Sequence, residues 1–235
     1  MYSGRGMESL SIIIPVKDEE DGLNYLLDDY RKSVLYGDVN ISFIFVIDGR
    51  TSDQSRNIAY EFSDVIIDQK STHGKGSAVR EAVKLWKDSQ SKYVIFMDAD
   101  GSYSFSDVSK ILFGLKEGND VVSGSRFLSK KGKPKGMGYL HNFGNIILSY
   151  ISSIKNRRRI TDLCTGLWGF TADALIKLNL NAKGFDLEAE IAGKIRKNDL
   201  VHNEVAVNWS ARKGGNSKLK SFKDGSIILF RILRT

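Results

Sequence analysis

The chain has one cysteine, Cys164, among its 235 residues. A single thiol excludes an internal disulfide framework and a cysteine-based zinc site, and it fits a reducing compartment. No apolar run reaches the roughly 18 residues that a membrane-spanning helix needs. Residues 1–9 lack the apolar core of a signal peptide. We therefore expect neither a transmembrane helix nor a leader.

Positive charge is in excess, because 35 lysines and arginines face 28 acidic residues and give a formal net charge of +7. This excess favours an anionic partner, such as nucleic acid, a nucleotide-bearing substrate or an anionic membrane. The length suits one α/β domain with a small appendage. The composition is ordinary for a globular protein, so an adequate core is available. No internal repeat or low-complexity linker is visible.

Five apolar residues at 93–97 run into two carboxylates, Asp98 and Asp100. The run is too short for a helix and predicts a buried central strand of a parallel sheet. The carboxylates then lie at the edge where open α/β sheets bind ligands, and alternation points both the same way, with Ala99 between them. Hard oxygen ligands suit Mg²⁺ or Mn²⁺, which usually hold phosphates. The alternative is an Asp-rich turn.

Other predicted strands also end in acidic residues. Residues 10–16 precede an acidic cluster that contains Glu19, whose simpler role is to stabilise a helix N-terminus. Residues 41–47 precede Asp48, which also suits a turn. Strands alternate with helical patterns over the first half of the chain. This alternation predicts an α/β fold with a doubly wound, mostly parallel sheet and helices on both faces.

Basic residues occur in glycine-rich loops and beside an apolar helix. Lys75 lies between glycines before a predicted helix and suits contact with an anion or a nucleotide, although a flexible loop explains it equally well. Its spacing matches neither the Walker A loop nor the dinucleotide fingerprint. Residues 130–136 and 211–219 are basic and glycine-rich. The apolar stripe of residues 139–154 runs into a basic stretch, which is typical of an interfacial membrane helix or of a core helix with a solvated end.

Four motifs, in this order, resemble family-2 inverting glycosyltransferases of the GT-A fold. They are residues 11–19, Val46-Ile47-Asp48-Gly49, residues 74–80 with Gly-Lys-Gly-Ser-Ala-Val-Arg, and Asp98-Ala99-Asp100. Residues 98–107, 185–188, 205–209 and 217–219 further resemble dolichyl-phosphate glucosyltransferases and, less closely, dolichyl-phosphate mannosyltransferases and bacterial polyprenyl-phosphate glycosyltransferases. The chain departs from the family where Ile47 replaces the first aspartate of Asp-Asp-Gly and where Lys17 replaces a common tyrosine.

The resemblance implies a metal-dependent enzyme that moves a hexose onto dolichyl or polyprenyl phosphate, with UDP-glucose as the first candidate donor. The implied nucleotide-sugar contacts are Pro15, Glu19, Asp48, Lys75, Asp98, Ala99 and Asp100. The implied ligands of Mg²⁺ or Mn²⁺ are Asp100, Asp98 and Ser102. The implied acceptor or phosphate contacts are Arg126, Arg212, Ser217 and Lys218. Asp100, Arg126 and Lys218 are the implied catalytic residues.

Three alternatives remain at this point. The donor could be another nucleotide-sugar, such as GDP-mannose or UDP-GlcNAc. The acceptor could be a hydroxyl group of a cell-surface polysaccharide, which needs a general base such as Glu188 or Asp186. The chain could also be a non-catalytic module that binds nucleic acid or anionic membrane. That last alternative leaves Asp98 and Asp100 unexplained, so we expect no nucleic-acid partner.

For the enzyme, we expect a single catalytic domain over residues 1–235 with an amphipathic tail at about 222–235. A lipid acceptor requires an approach to the bilayer. We therefore expect a peripheral protein on the cytoplasmic face of a membrane, in contact through the stripe at 139–154 and the tail. The patterns predict no particular oligomeric state.

Overall fold

The computed structural model describes residues 9–35, 39–63, 65–69, 73–89, 91–128, 134, 136–214 and 221–235. These residues form one seven-stranded sheet and eight α-helices. The strands are β1 (Ser9–Val16), β2 (Asn40–Asp48), β3 (Ile66–Gln69), β4 (Tyr93–Met97), β5 (Val121–Ser125), β6 (Leu167–Thr171) and β7 (His202–Ala206). The helices are α1 (Glu20–Arg31), α2 (Ser55–Phe62), α3 (Lys75–Trp86), α4 (Phe105–Lys116), α5 (Tyr139–Asn156), α6 (Ala172–Leu178), α7 (Leu187–Lys197) and α8 (Ser221–Arg234).

The strand order is β3-β2-β1-β4-β6-β5-β7. All neighbouring pairs are parallel except the two that β6 makes with β4 and β5. The C-terminal ends of β1, β2 and β4 therefore meet at one edge, and the residues that lead into antiparallel β6 arrive at the same edge. The prediction of a doubly wound, mostly parallel sheet is confirmed.

Helices cover both faces of the sheet, as the alternation predicts. Helices α1, α2 and α4 pack on the face that carries Ile12 and Ile14. Helices α3, α6 and α7 pack on the face that carries Ile13. Because both faces are buried there, β4 and the middle parts of β1 and β2 are continuous apolar runs rather than alternating ones. Each fully buried aliphatic side chain contributes about 1.5–3 kcal/mol relative to exposure, so the sheet edge is a firm support for loops.

Helices α5, α7 and α8, with the segment that follows α5, form a smaller apolar cluster beside the sheet, which includes Ile160, Leu163, Ala189, Ile228 and Ile232. Ile228 and Ile232 are the buried residues of α8. Within the described ranges, every helix falls short of the length and apolarity needed to cross a bilayer.

Helix α5 buries its polar face and exposes its apolar one. Its buried residues are Asn145, Ser149, Ser152 and Asn156. They find partners inside: the Asn145 side-chain amide donates to Asp162, and the Ser149 hydroxyl accepts from the backbone N–H of Leu163 at 2.9 Å. The polar groups on this buried face therefore have hydrogen-bond partners in the interior. The outward face carries Tyr139, Leu140, Phe143, Ile146, Ile147, Tyr150 and Ile154. The alternative of an apolar stripe in the core is therefore wrong.

Candidate active site

A cleft of about 530 Å³ opens at the C-terminal edge of the sheet. Strand ends of β1, β2 and β4 form one wall, and the first residues of α3 and α7 form the floor. The residues that line it include Pro15, Glu19, Asp48, Lys75, Asp98, Ala99, Asp100 and Arg212, together with Cys164, Phe185, Glu188 and Ile228. The fold thus brings together all seven residues that the resemblance implies for the donor. Their part in donor binding stays a prediction.

Two glycines fix the end of β4. A side chain at Gly22 of α1 would collide with the backbone oxygen of Ala99, and one at Gly166 would collide with the Asp98 carboxylate. The backbone N–H of Asp98 also donates to the Gly166 oxygen at 3.2 Å. Because neither glycine has a side chain, α1 and the segment before β6 approach closely and hold Asp98 in place.

Lys75 lies between two carboxylates at the floor of the cleft. Its Nζ is 2.7 Å from Asp98 Oδ1 and 2.7 Å from Glu188 Oε1. Burial disfavours the ammonium, but the two carboxylates outweigh that effect and raise the pKa of Lys75. Burial also raises the pKa of Glu188, against the pull of Lys75. Lys75 is therefore a fixed positive charge beside Asp98. The preceding Gly74 has a φ of 98°, a left-handed conformation that favours glycine.

Arg212 enters the cleft from the segment after β7. Its Nη2 is 2.5 Å from Glu19 Oε1 and 3.7 Å from Asp100 Oδ2, and its Nε donates to the Gly214 oxygen at 3.0 Å. The other Asp100 oxygen, Oδ1, accepts the backbone N–H of Ser102 at 3.0 Å. Arg212 therefore links Glu19 on one side of the cleft with Asp100 on the other.

Asp48 lies at the end of β2 and lines the cleft. Arg50 donates to both of its oxygens, from Nε at 2.8 Å and from Nη2 at 2.7 Å. These bonds outweigh partial burial and lower the pKa of Asp48 to about 2. Asp48 is consequently ionised across the physiological range.

The chemistry of Asp98 and Asp100 fits a hard divalent cation. Among the residues that the structure describes, no group of three His, Cys, Asp or Glu side chains forms a complete metal site. Mg²⁺ is typically held by one or two carboxylates and completed by substrate phosphates. The pair therefore suits a cation that arrives with a diphosphate. Ser102, the third predicted ligand, is only 3% exposed and lies outside the cleft lining, so its contribution is the backbone N–H to Asp100.

Arg126 also lies outside the cleft lining. Its side chain is 11% exposed and donates to both oxygens of Asp162, which is fully buried, at 2.7 Å each. A further bond of 2.7 Å runs from Nη2 to the Cys164 oxygen. This geometry makes Arg126 a support for the segment that carries Cys164 and Gly166 to the cleft. It does not support the predicted contact with an acceptor phosphate.

Two acidic side chains near the cleft are both engaged in ion pairs. Glu188 is held by Lys75, and Asp186 accepts Arg231 Nε at 2.7 Å and Nη2 at 2.5 Å. Sequence reasoning missed Arg231, Cys164 and Ile228. The motif at 185–188 indicates only the residues within it. No local sequence pattern predicts that α8 packs beside the cleft. The predicted Ser217 and Lys218 lie outside the described residues, as does most of the basic loop at 130–136.

The sheet has the GT-A fold, with an acidic cleft at the carboxyl edge of its parallel strands. The structure is similar to glucosyl-3-phosphoglycerate synthase from Mycobacterium tuberculosis in complex with Mn²⁺ and UDP-glucose, with a TM-score of 0.70 at 15% identity, over 96% of this chain and 78% of that one. At this identity the similarity concerns the fold alone.

Residues 11–178 match the model of glycosyl transferase family 2, and the chain belongs to that family. It is 30% identical to glycosyltransferase AglJ of Haloferax volcanii, over 97% of this chain and 72% of that protein. It is 26% identical to human dolichyl-phosphate beta-glucosyltransferase, over 97% and 76% of the two chains. It is also 26% identical to dolichol-phosphate mannosyltransferase of Pyrococcus furiosus, over 90% and 59%. The resemblance inferred from the motifs is confirmed.

Proposed function

We propose that this glycosyltransferase moves a hexose from a nucleotide-sugar to a polyprenyl phosphate such as dolichyl phosphate, with inversion, and that UDP-glucose is the donor. Relatives named for dolichyl-phosphate glucosyl transfer and dolichol-phosphate mannosyl transfer support this choice of acceptor. The observation that carries the proposal is that both candidate general bases, Glu188 and Asp186, are engaged by cations. A phosphate monoester has a second pKa near 6, so it is mostly a dianion at pH 7 and needs no base.

The difficulty in this reaction is the approach of one anion to another. The cleft offers Lys75 and Arg212 on either side of the carboxylate pair. Lysine acts as a point charge, whereas arginine matches phosphate oxygens in pairs. We propose that Lys75 contacts the donor diphosphate and that Arg212 exchanges Glu19 for a phosphate group. Asp100, with Asp98 beside it, would hold Mg²⁺ or Mn²⁺, which when bound neutralises charge on the leaving diphosphate.

A lipid acceptor also requires contact with a bilayer. The outward faces of α5 and α8 expose aromatic and aliphatic residues, among them Phe143 and Tyr150 on α5 and Phe222 and Phe230 on α8. Arg157, Arg158 and Arg159 follow α5 directly. An apolar helix face with a basic end suits the surface of an anionic membrane, where each basic residue adds about 1 kcal/mol. We propose that these two helices rest on the cytoplasmic face of a membrane.

The test is transfer of radiolabelled hexose in a matched set of donors. Purified protein, stripped with EDTA, is incubated with UDP-glucose, UDP-GlcNAc or GDP-mannose, with and without Mn²⁺, and with a short-chain polyprenyl phosphate. We expect label in the organic extract from UDP-glucose, only with metal. A labelled product that stays in the aqueous phase contradicts the proposed acceptor. A preference for another nucleotide-sugar contradicts the proposed donor. Thermal shift gives an independent readout, because ligand at 100 times its dissociation constant adds about 2.7 kcal/mol of apparent stability.

A hydroxyl acceptor is the second candidate, because Glu188 lines the cleft and burial raises its pKa. A carboxylate with a raised pKa is a better general base. For Glu188 to act in this way, Lys75 would have to release it. The response of the enzyme to a change at Glu188 therefore separates the two candidates.

A further inference from the structure

Helix α8 contributes one side chain to the cleft lining and others to the outer surface. Ile228 lines the cleft, and both Ile228 and Ile232 are buried against the cluster that contains α7. On the opposite side of the same helix, Phe222 and Phe230 are exposed. A single helix thus separates the cleft from the surface that we propose to meet the membrane.

One ion pair connects α8 to the beginning of α7. Arg231 reaches Asp186 Oδ2 with Nε at 2.7 Å and Nη2 at 2.5 Å. Asp186 is buried and is the N-cap residue of α7, and its other oxygen, Oδ1, accepts the N–H of Gly184 at 3.1 Å. Both oxygens of Asp186 are therefore used to hold the turn into α7. Removal of the cation from a buried carboxylate lowers the stability of the folded state, so we expect this turn to depend on Arg231.

The same turn supports Lys75 in two ways. The Gly184 oxygen accepts the N–H of Gly76 at 3.2 Å, and the Lys183 oxygen accepts the N–H of Ser77 at 3.0 Å, so the backbone after Lys75 rests on it. Glu188, in the first turn of α7, holds the Lys75 ammonium itself. The position of Lys75 thus depends on segment 183–188, which Arg231 secures.

We propose that Arg231 is a positioning residue. Through Asp186 it fixes the turn into α7 and thereby places Lys75 at the donor end of the cleft, so that α8 is part of the support of the donor site. The identity of the donor in this inference rests on the proposed function. The placement of the Lys75 loop does not, and it is measured separately.

The first measurement is amide hydrogen exchange at Gly76 and Ser77, which needs no donor. We expect Arg231→Gln to exchange both amides about tenfold faster than the wild type, because the turn that accepts their N–H groups loosens. Arg231→Lys keeps a cation for Asp186, so its amide exchange rates should fall between those of the wild type and Arg231→Gln. The control is Arg234→Gln, which removes the same charge from an exposed position on the same helix and should match the wild type. Equal exchange in Arg231→Gln and Arg234→Gln overturns the proposal.

The second measurement is steady-state kinetics with the nucleotide-sugar. We expect Arg231→Gln to raise the donor KM about tenfold and to change kcat less than about threefold, because Lys75 still reaches the diphosphate once it is bound. Asp186→Asn should have the same effect, and the double variant should be no worse, since both changes remove one contact. Faster exchange with an unchanged donor KM overturns the role in donor binding. If the wild type uses no nucleotide-sugar, the proposed function fails, while the exchange ratio still decides the placement of the Lys75 loop.

Discussion

At the scale of single residues, Asp100 lines the cleft with a partly exposed carboxylate, and we predict that it holds the metal ion. Its Oδ1 is held by the backbone, and its Oδ2 faces Arg212 at 3.7 Å. We expect Asp100→Asn to abolish Mn²⁺-dependent donor binding and to leave the thermal stability nearly unchanged, because the side chain contributes little to the core. Calorimetric titration of EDTA-stripped protein with UDP-glucose and Mn²⁺ measures this. Asp28→Asn, an exposed change on α1, is the control. Normal titration of Asp100→Asn would contradict the metal role.

Arg126 is expected to matter for folding. In Arg126→Met, the buried Asp162 carboxylate keeps its bond from Asn145 but loses its cation. Loss of one partner of a buried ion pair costs about 3–5 kcal/mol, so urea unfolding should show a decrease of this order. The double variant Arg126→Met with Asp162→Asn should recover part of the loss. If Arg126→Met unfolds like the wild type and raises the KM of the polyprenyl phosphate, Arg126 contacts the acceptor after all.

His202 makes stability depend on pH. Its ring stacks on Trp168 and lies 2.9 Å from the Ser123 hydroxyl. Burial, with Arg158 nearby, lowers its pKa from 6.5 to about 3. The unfolded chain therefore binds a proton below pH 6.5 that the folded chain does not, and the stability due to neutral His202 is lost as the pH falls toward 3.

Between pH 7 and pH 5, this one group should remove about 2 kcal/mol from the free energy of unfolding. His202→Gln keeps a partner for Ser123 but does not titrate, so it should lose about that much less over the same interval. Urea unfolding of both proteins at the two pH values measures the difference. Parallel losses in the two proteins would show that His202 is not the titrating group.

At the scale of whole elements, α5 offers a direct test of membrane contact. Phe143 and Tyr150 are 63% and 67% exposed, so their replacement by serine should change stability by less than about 0.5 kcal/mol each. We expect the double variant Phe143→Ser with Tyr150→Ser to lose flotation with anionic liposomes. The matched control is Phe113→Ser, which removes an aromatic side chain that is 65% exposed on α4. Equal flotation of all three proteins would argue against α5 as the contact.

The elements themselves are largely predictable from the sequence, but the facing of α5 is not. Strands such as β4 are short apolar runs closed by polar residues, and this pattern is local. The inward face of α5 is polar because its partners, Asp162 and the N–H groups of Leu163 and Cys164, follow the helix at a distance and are supplied by the fold. Periodicity gives the apolar stripe of a helix. It does not say whether the opposite side has hydrogen-bond partners in the interior.

For the whole molecule, the parallel sheet explains why the residues predicted for the donor lie together in one cleft. Strand ends of β1, β2 and β4 meet at one edge, so carboxylates that follow them in the sequence must lie close together. The positions of the basic side chains are less predictable, because a long side chain can reach several different acidic partners. Arg126 takes Asp162 rather than the cleft, and Arg231 enters from the C-terminal helix.

A change at Glu188 tests which kind of acceptor the whole enzyme uses, a phosphate or a hydroxyl group. We expect Glu188→Gln to keep kcat within about tenfold of the wild type with a polyprenyl phosphate, because a dianion needs no proton removed. The donor KM should rise, since Lys75 loses one of its two carboxylates. Steady-state kinetics with the short-chain lipid separates the two parameters. A fall in kcat of about 10²-fold or more is the scale of lost general-base catalysis, and it would favour a hydroxyl acceptor.

The solitary thiol has a practical consequence for handling the protein. Burial raises the pKa of Cys164 to about 12, so very little of the reactive thiolate is present at neutral pH. The protein should therefore keep its monomer band on non-reducing gels after days in air, and reducing agents can be omitted from storage buffers. Their omission is useful for assays with Mn²⁺, because thiol reductants bind that ion and lower its free concentration.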